Sequence, residues 1–202
     1  RSDHCRGLES YWAGPYGEKT AKNGRWRKGP GMALVGVLTG WFPQLQMIAE
    51  DLGFLTPEVR QLLSDSGLPG MKVLQFAFDS REPSDYLPHN YQRHCVVYTG
   101  THDNTTIGGW FAESPSEDVA YAREYLGLSH EERWVWGFIR GGMASVGDLF
   151  ITQMQDYLEL GKEARMNVPG TLGGNWLWRL VPGQLTEKLA AKIARYTKMY
   201  GR

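Results

Sequence analysis

Short apolar runs alternate with capped helical segments along this chain, and few folds accept that alternation. Val73-Leu74-Gln75-Phe76-Ala77-Phe78 is β-rich and almost wholly apolar, as expected of a strand covered on both faces. Gln46 to Ala49, Cys95 to Tyr98 and Leu149 to Met154 read as further short strands, and Arg1 to Cys5 as the end of another. Between them, Thr56-Pro57-Glu58 supplies a cap and a first-turn proline, and Gly67 a stop. Ser114-Pro115-Ser116-Glu117 begins a helix that closes near Gly127, and Ser129-His130-Glu131-Glu132 repeats the capping box before another. Residues 32–40 read as a helix interrupted by glycine, and Thr186 opens a last helix with Leu189, Ile193 and Tyr196 at core-facing spacing. Residues 6–31, 79–94 and 161–178 read as loops. Strands separated by helices imply an α/β fold with a parallel sheet and right-handed crossovers. The count is about five strands, short of the eight that close a (β/α) barrel. No repeat, low-complexity tract or linker divides residues 1–202.

Charge and composition exclude several functions. The 22 basic and 22 acidic residues cancel, so nothing draws the chain to nucleic acid or to an anionic membrane. No apolar run is long enough to span a bilayer, and no basic-then-apolar leader opens the sequence. Cys5 and Cys95 make no disulfide framework and read as small core residues in a reducing cytoplasm. Eight Trp, ten Tyr and seven Phe suit sugar stacking, and they suit a large ordinary core equally.

Three acidic residues, Asp3, Glu50 and Asp103, each follow a segment that reads as a strand end. Barrel enzymes build their sites at that face. Sugar transfer with retention needs one carboxylate to attack the anomeric carbon and one acid to protonate the leaving oxygen, with the two carboxyls about 5–5.5 Å apart. The separation of Asp3 from Glu50 leaves room for a loop and one crossover, so the two can end neighbouring strands. Taken singly, Asp51 and Asp103 read as helix caps. His102-Asp103-Asn104 alone could hold a metal, but no His/Cys cluster accompanies it. Gly17-Glu18-Lys19-Thr20 lacks the glycine spacing of a phosphate loop. His89 stays open between a structural and a substrate-facing role, His94 and His130 read as surface residues, and Trp176 and Trp178 as core packing.

Several stretches together resemble one family. They are Asp3-His4-Cys5-Arg6-Gly7, Gly17-Glu18-Lys19-Thr20 with Gly24-Arg25-Trp26, Ile48 to Gly53, Leu68 to Met71 with Leu74 to Phe78, Leu87-Pro88-His89-Asn90, Tyr98 to Asn104, and Glu163 to Asn167 through Asn175-Trp176. They resemble the C-terminal portion of the 4-alpha-glucanotransferases of glycoside hydrolase family 77, the amylomaltases or disproportionating enzymes. The resemblance implies that residues 1–202 are the C-terminal part of a catalytic (β/α)8 TIM barrel whose first strands are missing, incomplete as it stands. It implies Asp3 as nucleophile, Glu50 as general acid/base, and Asp103 as the carboxylate that grips the reacting sugar. It further implies His4 and His102 as sugar-binding residues, Arg1 as the arginine that keeps the nucleophile ionised, and Asn167 on a loop closing over the acceptor side. Maltooligosaccharides and glucose would be the substrates, with no metal or organic cofactor. The chain opens at Arg1 without a Met, as expected of part of a longer enzyme. Open barrel edges would then invite self-association. A non-catalytic glucan-binding piece and an α-amylase-like hydrolase are the alternatives. The family pattern usually has isoleucine and phenylalanine where this chain has Ser2 and Cys5. A buried hydroxyl at Ser2 without a partner would cost roughly 1–3 kcal/mol, and the smaller Cys5 would leave space beside the nucleophile.

Overall fold

The computed structural model describes residues 1–53 and 55–202, and the chain divides into two compact units, Arg1–Met71 and Lys72–Arg202. Both mix helix and strand. Among the described residues no helix is long and apolar enough to cross a membrane.

In the first unit Ser2 and Ala49 form a parallel bridge. The Ser2 N–H donates to the Ile48 carbonyl at 2.8 Å, the Glu50 N–H donates to the Ser2 carbonyl at 2.9 Å, and the Ala49 N–H donates to the Pro69 carbonyl at 3.0 Å. The expected strand at Gln46 to Ala49 is thus reduced to this one bridged position. Ser2 is only half-buried and its hydroxyl is not among the buried polar atoms left without a partner, so the full burial cost does not arise. Cys5 is free and buried, a small core residue as the sequence implied. Burial pushes its thiol up, and the Asp51 and Glu50 carboxylates add to the shift.

The segment expected to be a long loop, 6–31, is instead partly regular. A turn of helix α1 (Arg6–Glu9) leads into strand β1 (Ser10–Ala13), which pairs antiparallel with β2 (Arg25–Lys28). Trp12 faces Trp26 across the pair with ring centroids 5.5 Å apart, and the Arg6 guanidinium lies 4.7 Å from the Trp26 centroid. Cross-strand aromatic pairs stabilise isolated ribbons. Strand β2 is exposed at every position, so it carries no apolar alternation from which a strand could be read. Helix α2 (Met32–Trp41) forms as expected but buries only Val35. Helix α3 (Pro57–Ser66) is capped as the sequence implied: Thr56 Oγ1 accepts the Val59 N–H, and Gly67 closes it with φ 63°.

The apolar run Val73 to Phe78 is a strand only at its first residue. Strand β3 spans Gly70–Val73, and Leu74–Phe76 is a 3-10 turn. The run reports burial rather than strand geometry: Leu74, Ala77 and Phe78 enter the core of the second unit, while Phe76 stays exposed. Strand β4 (Cys95–Tyr98) is buried at every position and pairs in parallel with β5 (Leu149–Ile151), Val97 opposite Phe150. The sheet order is β3-β4-β5.

Helices α4 (Ile107–Glu113), α5 (Ser116–Leu126), α6 (Trp134–Met143), the short α7 (Met154–Tyr157) and α8 (Glu187–Tyr200) complete the second unit. Helix α4 carries no strong sequence signal apart from Thr106, whose hydroxyl accepts the Gly109 N–H at 3.0 Å. Ser114 ends α4 instead of capping α5, and Pro115 takes the cap position. Ser129 does accept the Glu132 N–H, but the helix begins only at Trp134, after Arg133 at φ 71°. Thr186 caps α8 through the Leu189 N–H, and Leu189, Ile193 and Tyr196 all pack on the core. Phe78 is ringed by Trp110, Tyr121, Tyr125 and Phe138 at centroid distances of 5.6–6.1 Å, mostly edge to face.

Candidate active site

The expected site residues fall into two groups, one in each unit. In the first, the Ser2–Ala49 bridge sets the residues that follow each strand end beside one another. The His4 N–H donates to Glu50 Oε2 at 2.6 Å, and the Leu52 N–H donates to Glu50 Oε1 at 3.0 Å. Both oxygens of Glu50 are therefore held by backbone donors. Arg1 Nε donates to Asp3 Oδ1 at 2.7 Å, with the Asp3 side chain 70% exposed and open to a ligand. His4, between the two acids in sequence, takes a left-handed backbone with φ 48°. Asp51, next to Glu50, does structural work: its Oδ1 accepts the Met71 N–H at 2.6 Å. A Cβ on Gly70 would lie 2.6 Å from Asp51 Oδ2, so this approach needs glycine.

In the second group a turn at the end of β4 presents Asp103. The Thr101 N–H and hydroxyl both donate to Asn104 Oδ1, at 2.8 and 2.9 Å, and the Asp103 N–H donates to Thr101 Oγ1 at 3.3 Å. Asp103 is thus a turn former in its backbone, as its residue type implied. Its carboxylate is held from two sides. Asn167 Nδ2 donates to Oδ1 at 2.6 Å, and His102 Nε2 lies 3.3 Å from Oδ2. The Asn167 N–H donates to the His102 carbonyl at 3.1 Å. Arg165 spans the same loops, donating from Nε to the Asn167 carbonyl at 2.8 Å and from Nη2 to the Asp103 carbonyl.

Arg165, Thr101 and Asn104 had no role in the sequence reading. The available signal was that all three lie in stretches carrying the family resemblance, Tyr98 to Asn104 and Glu163 to Asn167. The core-packing expectation for the two tryptophans is corrected. Trp176 is half-exposed with its ring 5.0 Å from that of His102, and Trp178 is only partly buried. Gly173 and Gly174 take left-handed backbone just before Trp176, a path that residue spacing does not reveal. His89 contacts Tyr125, its Nδ1 2.8 Å from the phenol oxygen. His94 lies 3.5 Å from Asp148, and His130 packs on Trp134.

A family profile described as 4-alpha-glucanotransferase matches residues 1–185. The chain is similar to a 4-alpha-glucanotransferase of Clostridium butyricum, 51% identical across the whole chain and 42% of the relative. It is similar to one of Thermus thermophilus, 46% identical over 96% of the chain and 40% of the relative. The chain therefore spans about two fifths of the length of the curated relatives it matches. Its fold matches an amylomaltase from Streptococcus agalactiae in complex with acarbose, with a TM-score of 0.94 and 38% identity over 99% of this chain and 41% of that one.

Proposed function

The chain belongs to the 4-alpha-glucanotransferase family, glycoside hydrolase family 77, and on that footing we propose that it is the C-terminal part of a (β/α)8 barrel that moves α-1,4-glucan segments between maltooligosaccharides or onto glucose. Asp3 attacks the anomeric carbon while Glu50 gives a proton to the departing glycosidic oxygen. A covalent glucosyl-enzyme forms. Glu50 then takes the proton of an acceptor hydroxyl, which attacks with net retention. Asp103, its carboxylate plane fixed by His102 and Asn167, grips the hydroxyls of the reacting sugar. Arg1 donates from Nε to Asp3 Oδ1 and so orients the attacking carboxylate. No step calls for a metal or an organic cofactor.

The observation that carries this reading is the parallel Ser2–Ala49 bridge with the 2.6 Å contact from the His4 N–H to Glu50. It supports an attacking acid and a proton-donating acid at neighbouring strand ends, as a retaining pair requires. The same contact carries a mechanistic consequence. A backbone N–H can only donate, so each Glu50 oxygen accepts one such contact, and the transferable proton must occupy a lone pair that the two contacts leave free. Glu50→Gln in the full-length protein carrying this chain tests the assignment. Maltotriose disproportionation is expected to fall by roughly 10²-fold or more, and near-normal turnover would refute the role.

A second reading is favoured by the two-fifths coverage of the relatives: taken alone, these residues form a glucan-binding piece without turnover. Open strand edges would then favour self-association. Calorimetry with maltooligosaccharides beside a transfer assay on the same preparation separates the two readings.

A further inference from the structure

We propose that Trp176 is a positioning residue for the Asp103 carboxylate and acts through His102; this rests on the reading of Asp103 as the sugar-gripping acid. Trp176 has φ 63°, a left-handed conformation that bulky L-residues avoid. Asn and Asp tolerate that region because their short side chains bond locally, and an indole cannot do so. Glycine is at hand in the same loop, since Gly173 and Gly174 take φ 77° and 73°. The position beside His102 nevertheless carries the largest side chain. Burial does not offset the strain, because Trp176 is 50% exposed.

What the strained backbone secures is a place for the ring. The Trp176 N–H donates to the Met166 carbonyl at 2.6 Å, one residue from Asn167. The Val168 N–H donates to Asn175 Oδ1 at 2.9 Å, so the strap is closed on the other side as well. The indole then lies against the His102 imidazole, centroids 5.0 Å apart and planes tilted by 38°. His102 is one of the two groups that fix the Asp103 carboxylate, at 3.3 Å from Oδ2. Asn167, the other, rides on the same strap and donates to Oδ1 at 2.6 Å. One loop therefore fixes both carboxylate oxygens: directly through Asn167, and indirectly through Trp176 and His102. Backbone strain kept at a site without a packing gain marks a functional constraint.

The test sets stability against rate in the full-length protein. Trp176→Gly removes the ring and relieves the backbone together. Its Tm should equal or exceed that of the parent, while kcat for maltotriose disproportionation falls by roughly 10²-fold and KM changes much less. Trp176→Phe keeps a flat ring against His102 and should recover most of kcat. Asp103→Asn, assayed in parallel, checks the underlying reading. A near-normal kcat for Trp176→Gly beside an inactive Asp103→Asn overturns the proposal. So does a Tm that falls in step with activity, or a Phe variant no better than the Gly one. Full transfer by Asp103→Asn would instead sink the reading of the site, and the role of Trp176 with it.

Discussion

Asp156 clamps both ends of the loop that carries His102 and Asp103. Its Oδ2 accepts the Thr99 hydroxyl at 2.8 Å, where β4 ends, and its Oδ1 accepts the Ile107 N–H at 2.7 Å, where α4 begins. The side chain is fully buried, and burial lifts its pKa to about 6 against the lowering effect of the Ile107, Thr99 and Thr152 hydrogen bonds. A carboxyl that holds its proton more tightly when folded adds stability below about pH 4, and that contribution disappears as the pH climbs to about 6. The loss amounts to roughly 3 kcal/mol. Asp156→Asn does not titrate, and its amide can still accept from Ile107 and donate to the hydroxyls. The unfolding free energy of the parent minus that of Asp156→Asn should therefore drop by roughly 2 kcal/mol between pH 4 and pH 7; urea melts giving a pH-independent difference would contradict this. Asp3, Glu50 and Asp103 stand out in the sequence because each lies in a stretch that carries the family resemblance and few side chains do the chemistry it implies. Asp156, Arg165 and Trp176 do not. Each acts through partners far along the chain, and no local spacing encodes a hydrogen bond from Thr99 to Asp156 or a ring contact from His102 to Trp176.

Helices declared themselves through their ends. Thr56 and Gly67 bracket α3, Thr186 opens α8, and Gly127 closes α5, because a cap satisfies orphan donors or admits a left-handed φ whatever the distant fold does. The β1–β2 ribbon stayed hidden because an exposed pair of short strands needs no apolar alternation. The boundary of β3 slipped because Leu74 and Phe78 are buried without being extended. Packing likewise decides what a glycine means inside a helix. Gly40 in α2 has no atom within 4 Å of where a Cβ would stand, whereas on Gly142 in α6 that Cβ would sit 2.3 Å from the Phe150 ring. Alanine is the better helix former by about 1 kcal/mol. Gly40→Ala should therefore stabilise by up to about that amount. Gly142→Ala must push aside a ring that packs on the core, an overpacking cost of about 1–3 kcal/mol that meets or exceeds the propensity gain. Denaturant midpoints shifting upward for the first variant and downward for the second would bear this out; equal shifts would mean that propensity alone governs both helices.

The two units differ in how their apolar side chains are used. In Lys72–Arg202 the core runs as one cluster from Leu74 and Phe78 through Ile107, Trp136 and Phe138 to Tyr196. Among the described residues of Arg1–Met71, burial is sparser, with Val35, Ala49, Val59 and Leu62 among the buried positions, while Val37, Trp41, Phe42 and Leu45 are left exposed. The sequence could not show this contrast. Apolar periodicity marks α2 as helical but does not say what covers it, and a strand count short of eight could not say how the described strands divide. Local stability follows buried contacts, and backbone bonds open fastest where few apolar groups lie over them. Amides of β4 and α6, at Val96, Val97, Phe138 and Ile139, sit among fully buried neighbours and should exchange only with unfolding of the whole unit. Amides of α2 and of the β1–β2 ribbon, which bury almost no side chains, should exchange by local opening, roughly 10²-fold faster or more. Hydrogen exchange followed by mass spectrometry reads both classes in one experiment. Equal protection in α2 and α6 would mean that the sparse packing of Arg1–Met71 does not set its opening free energy.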